Sequence, residues 1–179
     1  MTASTADLPR LALRRGARPF VALAAAYLVE YMDKIRLAVG HLDDDALWWR
    51  PAPGTNSAGN LLIHLAGNLS LWVLQGVGGR PYPRDRAGEF AADRSAGGEQ
   101  LLGRLSRVVE ECVEVVEGLS PEDLARPVAL QGYEVDVLAA LFHAVEHMSY
   151  HTGQIVWIGK QHALAAGEGF ELYPQHAGE

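Results

Sequence analysis

Cysteine is almost absent from this sequence: Cys112 is the one thiol among 179 residues. A single cysteine excludes a disulfide framework within the chain and any zinc site built from four cysteines. A chain of this kind suits a reducing compartment, so we expect a cytoplasmic protein. Cys112 lies on the apolar side of a helical pattern, which favours buried packing over a nucleophilic role.

The sequence also lacks an excess of basic charge and a long apolar run. Its net charge is -7, and no basic stripe is present, which argues against a nucleic-acid partner. No segment has the length and apolarity needed to span a membrane. The apolar run that follows the N-terminal arginines starts late and has no convincing cleavage site after it, so we predict no signal peptide.

Four long segments instead carry apolar residues at helical spacing. They cover about residues 19–39, 57–76, 99–117 and 136–164, and no alternation is long enough to build a large sheet. Long amphipathic helices joined by connectors of uneven length predict an all-α fold, a four-helix bundle. In the first helix, the spacing predicts one apolar stripe made of Leu23, Tyr27, Tyr31, Ile35 and Val39.

The segments outside these helices suggest the domain organisation. We predict a flexible leader at residues 1–16, one helical domain at residues 17–166 and a C-terminal tail at residues 167–179. Residues 78–98 are rich in Gly, Pro, Arg and Asp, which predicts a long surface loop and the main place for mobility or a lid.

Three histidines are the candidate metal ligands. His147 and His151 are four residues apart, so they share one face of the last helix. His64 lies on the second helix, which a bundle can place beside the last one. Three imidazoles on one ion leave coordination positions open, as a catalytic metal requires.

A further set of residues has candidate roles around these ligands. For each of them a pocket role competes with ordinary packing, hydrogen bonding between helices or a plug at the end of the bundle. Trp49 and Arg50 together are a candidate binding cluster for an anionic substrate. The candidates for the pocket or the surroundings of the ligands are His143, Asn60, Asn68, Tyr150, Trp49 and Arg50.

Several stretches of the sequence resemble the DinB/YfiT-like superfamily of metalloenzymes. They are LWWRP at 47–51, NSAGNLLIHLAGNL at 56–69, GYEV at 132–135 and ALFHAVEHMSYHTGQI at 140–155. The resemblance implies an up-down-down-up four-helix bundle, commonly a homodimer, with a divalent metal on His64, His147 and His151. Some members of that superfamily are S-transferases that use bacillithiol, mycothiol or glutathione, and others are isomerases.

Three imidazoles without a thiolate suit Zn or Ni, with Fe, Co, Mn or Cu as further options. Protons compete for the same nitrogens, so we expect metal affinity to fall as the pH drops through ~6.5. Such a site fits hydrolysis by an activated water and also transfer of a small-molecule thiol. No HExxH pattern supplies a built-in base. The alternative is a non-enzymatic dimeric module for metal binding or stress response.

Overall fold

A computed structural model describes residues 19–173 of the chain. The predicted leader lies outside the described residues, and so does the end of the predicted tail. The described part is mostly helical, as the apolar spacing predicts. Its α-helices are α1 Pro19–Val39, α2 Asp44–Leu47, α3 Ala58–Leu69, α4 Arg86–Ala91, α5 Gly98–Glu117 and α6 Val137–Ala165.

Local side-chain caps fix the starts of the two helices that carry the histidines. At α3, the Ser57 side chain accepts from the Asn60 backbone N–H, and the Asn60 side chain accepts from the Ser57 backbone N–H. At α6, the Asp136 side chain accepts from the backbone N–H of Ala139. Each cap satisfies donors that a helix start leaves free, so these helices begin where the sequence predicts.

The second long helix changes its winding in the middle. α3 continues without a break into a π-helical segment, Ser70–Val77, which carries Trp72. The predicted helix end near residue 76 agrees with this boundary, but the wider winding has no signature in the apolar spacing. π-helical turns are uncommon and occur often at functional sites.

The four long helices pack so that the two histidine-bearing ones are neighbours. α1 packs against α5 and α6, and α3 also packs against α5 and α6. The adjacency of α3 and α6 confirms that the fold can bring His64 to the last helix. The side chains buried most completely in the core between these helices include Leu28, Met32, Ile35, Leu65, Leu69, Leu105, Met148 and Ile155.

A small hairpin precedes α6. Its antiparallel strands are β1 Pro127–Leu130 and β2 Tyr133–Asp136, with Leu130 opposite Tyr133. Among residues 19–173 this is the whole of the sheet structure, in agreement with the prediction of no large sheet. The same residues contain no helix with the length and apolarity needed to cross a membrane.

The predicted apolar stripe of α1 is wrong in its first half. Leu23, Tyr27 and Tyr31 are only half-buried, and the buried face runs instead through Val21, Ala24, Ala25, Leu28, Met32, Ile35 and Val39. An α-helix has 3.6 residues per turn, so steps of four drift by about 40° each. The observed face alternates steps of three and four and therefore stays in line with the core.

The segment 78–98 is more than the predicted surface loop. It contains α4, which packs against α3 and buries the side chain of Glu89, 6% exposed. The Asn60 side-chain amide donates to the backbone carbonyls of Glu89 and Ala92, at 3.2 and 2.7 Å. These bonds attach the segment to the first turn of α3, so α4 is a fixed part of the fold.

Candidate metal centre

The three predicted ligand histidines meet between α3 and α6. Potential ligand nitrogens of His64, His147 and His151 all lie within 4.8 Å of one another. The Nε2 atoms of His64 and His147 are 2.9 Å apart. His64 and His151 are buried, and His147 is half-buried. The structure therefore brings together an adjacent pair on one helix and a third residue from 83 positions upstream.

Helical spacing alone brings the pair on α6 together. The rings of His147 and His151 occupy successive turns, with centroids 4.6 Å apart. The ring of His64 lies 5.0 Å from each of them. The Nδ1 atom of His151 pairs with the Oε1 atom of Gln154, at 2.7 Å, one turn further along the same helix.

A buried carboxylate from α4 holds His64. The Nδ1 atom of His64 is 2.8 Å from the Oε2 atom of Glu89. Arg84 donates to both oxygens of the same carboxylate, from Nε at 2.7 Å and from Nη2 at 2.9 Å. The side chains of all three residues are at most 7% exposed. The charges of Glu89 and Arg84 thus balance inside the protein, as a buried pair requires.

This arrangement fixes the tautomer of His64. The Arg84 Nη2 atom is also 3.2 Å from Nδ1, but the carboxylate is closer and Arg84 already donates to it. We therefore assign the hydrogen to Nδ1 of His64, which donates it to Glu89. The Nε2 atom then keeps a free lone pair facing His147. A carboxylate behind a histidine is the arrangement that orients metal-binding imidazoles in many proteins.

Gly67 makes the approach of Glu89 possible. It lies three residues after His64, on the same face of α3, and a Cβ atom at this position would stand 2.1 Å from the Oε1 atom of Glu89. Any larger residue would push the carboxylate away from His64 or Arg84. The glycine therefore serves a close approach between α3 and α4.

Burial keeps the imidazoles neutral. It is the main cause that lowers the pKa of His64, His143 and His151 below the ordinary value. For His147, burial and then the neighbouring His151 and His64 lower the pKa to about 3. For His64, the bond to Glu89 offsets only part of the effect. Neutral imidazole is the form that binds metal, so the cluster is in that form at neutral pH.

The donor set fits a divalent ion of the zinc or nickel type. Three imidazole nitrogens are suitable ligands for these ions. Within residues 19–173 no further His, Cys, Asp or Glu side chain joins the group of three. An ion held there would keep positions open to water or substrate, which distinguishes catalytic sites from structural ones.

Two of the other predicted pocket residues lie beside the cluster. His143 is one turn before His147, with ring centroids 5.3 Å apart, and its ring is 4.2 Å from that of Trp72. Asn68 is 3% exposed. Both line a cavity of about 400 Å³ that His64 and His147 also line. This placement supports the pocket role predicted for each of them.

Tyr150 lies outside this cavity. It is 61% exposed, and its ring stands edge-on to that of His151 at 5.1 Å. It lines a separate outer cavity of about 470 Å³, together with Gln154 and Trp157.

The remaining predicted residues do not line the cavity beside the histidines. Trp49 packs edge-on against His162, with centroids 5.2 Å apart. Arg50 donates to the backbone carbonyl of Ala92 at 3.3 Å, at the end of α4. Asn60 caps α3 and holds α4. The interpretation of Trp49 and Arg50 as an anion-binding mouth therefore lacks geometric support here, and Asn60 acts on the cluster only through α4.

Sequence reasoning missed Glu89 and Arg84. Both lie in the segment interpreted as a surface loop, 25 and 20 residues from His64. One weak signal was available: Gly67 on the His64 face indicates that another chain segment approaches there. For Cys112 the packing interpretation stands, because the thiol is fully buried and burial raises its pKa.

Comparisons with known proteins agree with this fold. A family model described as the DinB superfamily matches residues 27–155. A DinB-like protein from Bacillus cereus has a similar structure, with a TM-score of 0.65 and 17% identity over 87% of this chain and 95% of that one. A conserved protein from Enterococcus faecalis has a TM-score of 0.64 and 16% identity, over 82% of this chain and 96% of that one.

A DinB-like protein from Bacillus subtilis has a TM-score of 0.59 and 20% identity, over 77% of this chain and 90% of that one. Among curated protein sequences, none matches significantly. Identities this low carry the fold and no reaction.

Proposed function

Because the chain belongs to the DinB superfamily, we propose that it is a divalent-metal-dependent enzyme with His64, His147 and His151 as ligands. The observation that carries the proposal is the cluster itself: three ligand nitrogens within 4.8 Å. The single free thiol supports a cytoplasmic location. The proposal includes zinc or nickel as the ion, and an up-down-down-up bundle for the four long helices.

The chain's own residues prepare this site. Glu89 holds the His64 ring in one tautomer and one orientation, and Arg84 balances the charge of that carboxylate. Burial disfavours the protonated form of the rings, so they need not lose a proton before binding. When bound, a divalent ion supplies Lewis acidity, which lowers the pKa of a water or a thiol at an open position.

The proposed reaction is thiol S-transfer or hydrolysis on a small molecule. Cys112 is buried away from the cavity, so a thiol would have to come from a low-molecular-weight compound. The cavity has the size of known small-molecule sites, about 400 Å³. No carboxylate is among the described residues that line it. Activation of a thiol or water would therefore come from the ion, or from a neutral imidazole in the lining such as His143.

Elemental analysis of the purified full-length protein, supplied with zinc and nickel at neutral pH, tests the metal. We expect about one ion per chain, lost in His147→Ala. His162→Ala is the matched control: it removes a histidine of the same helix that packs on Trp49, and it should keep the ion. A wild type without metal, or His147→Ala with full occupancy, contradicts the proposal.

Turnover separates the two reactions. The metal-loaded protein is assayed with a small electrophile and each of several low-molecular-weight thiols, and separately with small esters and amides. Thiol consumption that disappears in His147→Ala supports S-transfer, and ester or amide cleavage with the same dependence supports hydrolysis. Turnover that persists in His147→Ala opposes both.

A homodimer is part of the proposal, both for the enzyme and for the alternative, a non-enzymatic dimeric metal-binding module. The outer face of α6 exposes large apolar side chains, which suits a second copy of the chain. They are Leu138, Phe142, Tyr150, Trp157 and Leu164. Light scattering of wild type and Trp157→Ser tests the homodimer. A dimeric protein that loses stability on metal removal and turns over no substrate favours this alternative.

A further inference from the structure

The cavity beside the histidines has an unusual charge for this protein. The chain carries a net charge of -7, yet the described residues that line the cavity include Arg84 and Arg86 and no Asp or Glu. Arg84 has its charge balanced by Glu89, which accepts two of its hydrogen bonds. Arg86 is exposed, and it is not a member of any ion pair within residues 19–173. One positive charge is therefore available to a ligand.

Arg86 is held close to the cluster. Its guanidinium lies over the ring of Phe90, 5.1 Å from the centroid, and that ring is 4.7 Å from the ring of His64. A cation over an aromatic face is stabilised electrostatically, which favours this position over free motion in solvent. The ring of Phe90 therefore lies between the Arg86 guanidinium and His64, the proposed metal ligand.

Asn68 adds a buried polar group with an unsatisfied hydrogen-bond acceptor. It lines the cavity, is 3% exposed, and its Oδ1 atom has no hydrogen-bond partner within the described residues. Buried polar atoms of this kind are uncommon, because an unpaired atom loses its hydrogen bonds to water without gaining any within the protein. Rotation of the amide exchanges its oxygen and nitrogen, so Asn68 can offer either an acceptor or a donor to a ligand.

Part of the cavity lining is aromatic. The Trp72 ring lies 6.4 Å from that of Tyr133 and 4.2 Å from that of His143. Flat faces of this kind pack well against planar or apolar ligand groups.

From these three features we infer that the cavity binds a small-molecule carboxylate with a planar or apolar body. The carboxylate pairs with Arg86, the body packs on Trp72 and Tyr133, and a polar substituent reaches Asn68. A single unpaired guanidinium matches a single negative charge and the fork geometry of a carboxylate. The inference deepens the proposed function, on which it rests, by naming the substrate class of the same site.

The test uses benzoate as the probe and benzamide as its uncharged counterpart. Calorimetric titration of the full-length protein, with and without supplied zinc, should show benzoate binding more tightly than benzamide. Arg86→Gln should weaken benzoate by about tenfold, the equivalent of one charge-assisted hydrogen bond, and leave benzamide unchanged. Arg104→Gln, an exposed arginine on α5 away from the cavity, is the matched control and should behave as wild type.

Each outcome decides the inference separately from the metal. Equal affinity for the two probes, no binding of either, or benzoate binding unaffected by Arg86→Gln overturns it. Inorganic phosphate that displaces benzoate at lower concentration, in an Arg86-dependent manner, overturns the carboxylate as the ligand. Metal content is measured on the same samples. Arg86-dependent benzoate binding by a protein that takes up no metal supports this inference while the proposed enzyme fails.

Discussion

The two sides of the histidine cluster are built in different ways. On the α3 side, His64 is fixed from behind by Glu89, which Arg84 and the Asn60-anchored helix α4 hold in place. On the α6 side, His147 and His151 are placed by helix spacing, and the support behind His151 is the exposed Gln154. The comparison shows one histidine that a buried carboxylate holds, and two that helix spacing presents, one of them with a hydrogen bond to an exposed side chain. A metal ion would therefore find His64 already oriented.

Acidification is expected to have the largest effect, because it acts on both sides at once. The pKa values of the cluster are lowered in the folded protein, to about 3 for His147, against ~6.5 in an unfolded chain. The unfolded state then binds more protons, so the stability from these groups is present above pH ~6.5 and declines as the pH falls towards the folded values.

Denaturant unfolding of the metal-free protein from pH 8 to pH 5 checks this. We expect stability to decline below about pH 6.5, with a shallower decline in His147→Gln. Stability that stays flat or rises on acidification would show that the histidines are not held neutral in the folded protein. The lowered pKa values also move proton competition for the metal below the pH expected for ordinary histidines, so metal should stay bound at pH 6.

Replacing the Glu89 carboxylate is expected to have the next largest effect on stability. Glu89→Gln leaves the buried charge of Arg84 without its partner and weakens the hold on His64. We expect a loss of about 3 kcal/mol in unfolding free energy and about 10- to 100-fold in metal affinity. Gln154→Ala is the matched change on the α6 side and should cost about 1 kcal/mol or less. Equal losses of stability and of metal affinity in the two variants would contradict a stronger support behind His64 than behind His151.

A side chain at position 67, which would displace the Glu89 carboxylate, should have a somewhat smaller effect on stability. Gly67→Ala puts a Cβ atom 2.1 Å from the Oε1 atom of Glu89, so the carboxylate must move away from its partners. We expect a loss of about 1–3 kcal/mol, with weaker metal binding. Gly103→Ala on α5 has no atom within 4 Å of the new Cβ and should stabilise the protein by about 0.5–1 kcal/mol. Thermal unfolding of both variants checks this, and a neutral Gly67→Ala argues against a tight approach.

The difference between the α3 and α6 sides also explains which parts of the site could be predicted from the sequence. His147 and His151 follow from local periodicity, and His64 follows once α3 and α6 are neighbours. The Ser57 and Asp136 caps are equally local, which is why these helix starts were predictable.

Glu89 was not predictable, because its role depends on how a segment rich in glycine and proline folds back over α3. The prediction for the first half of the α1 stripe, where the side chains are only half-buried, is wrong for another reason. Leu23, Tyr27 and Tyr31 are spaced four residues apart, and the 3.6-residue turn carries that spacing away from the centre of the core.

The central claim is that one divalent ion binds between α3 and α6, and anomalous diffraction tests it most directly. Crystals of the metal-loaded full-length protein are measured above and below the absorption edge of the bound element. We expect one anomalous peak per chain, at about 2.0–2.1 Å from nitrogens of His64, His147 and His151, with His64 still bonded to Glu89. Metal-loaded crystals without a peak at these nitrogens, or with the ion elsewhere, would contradict it.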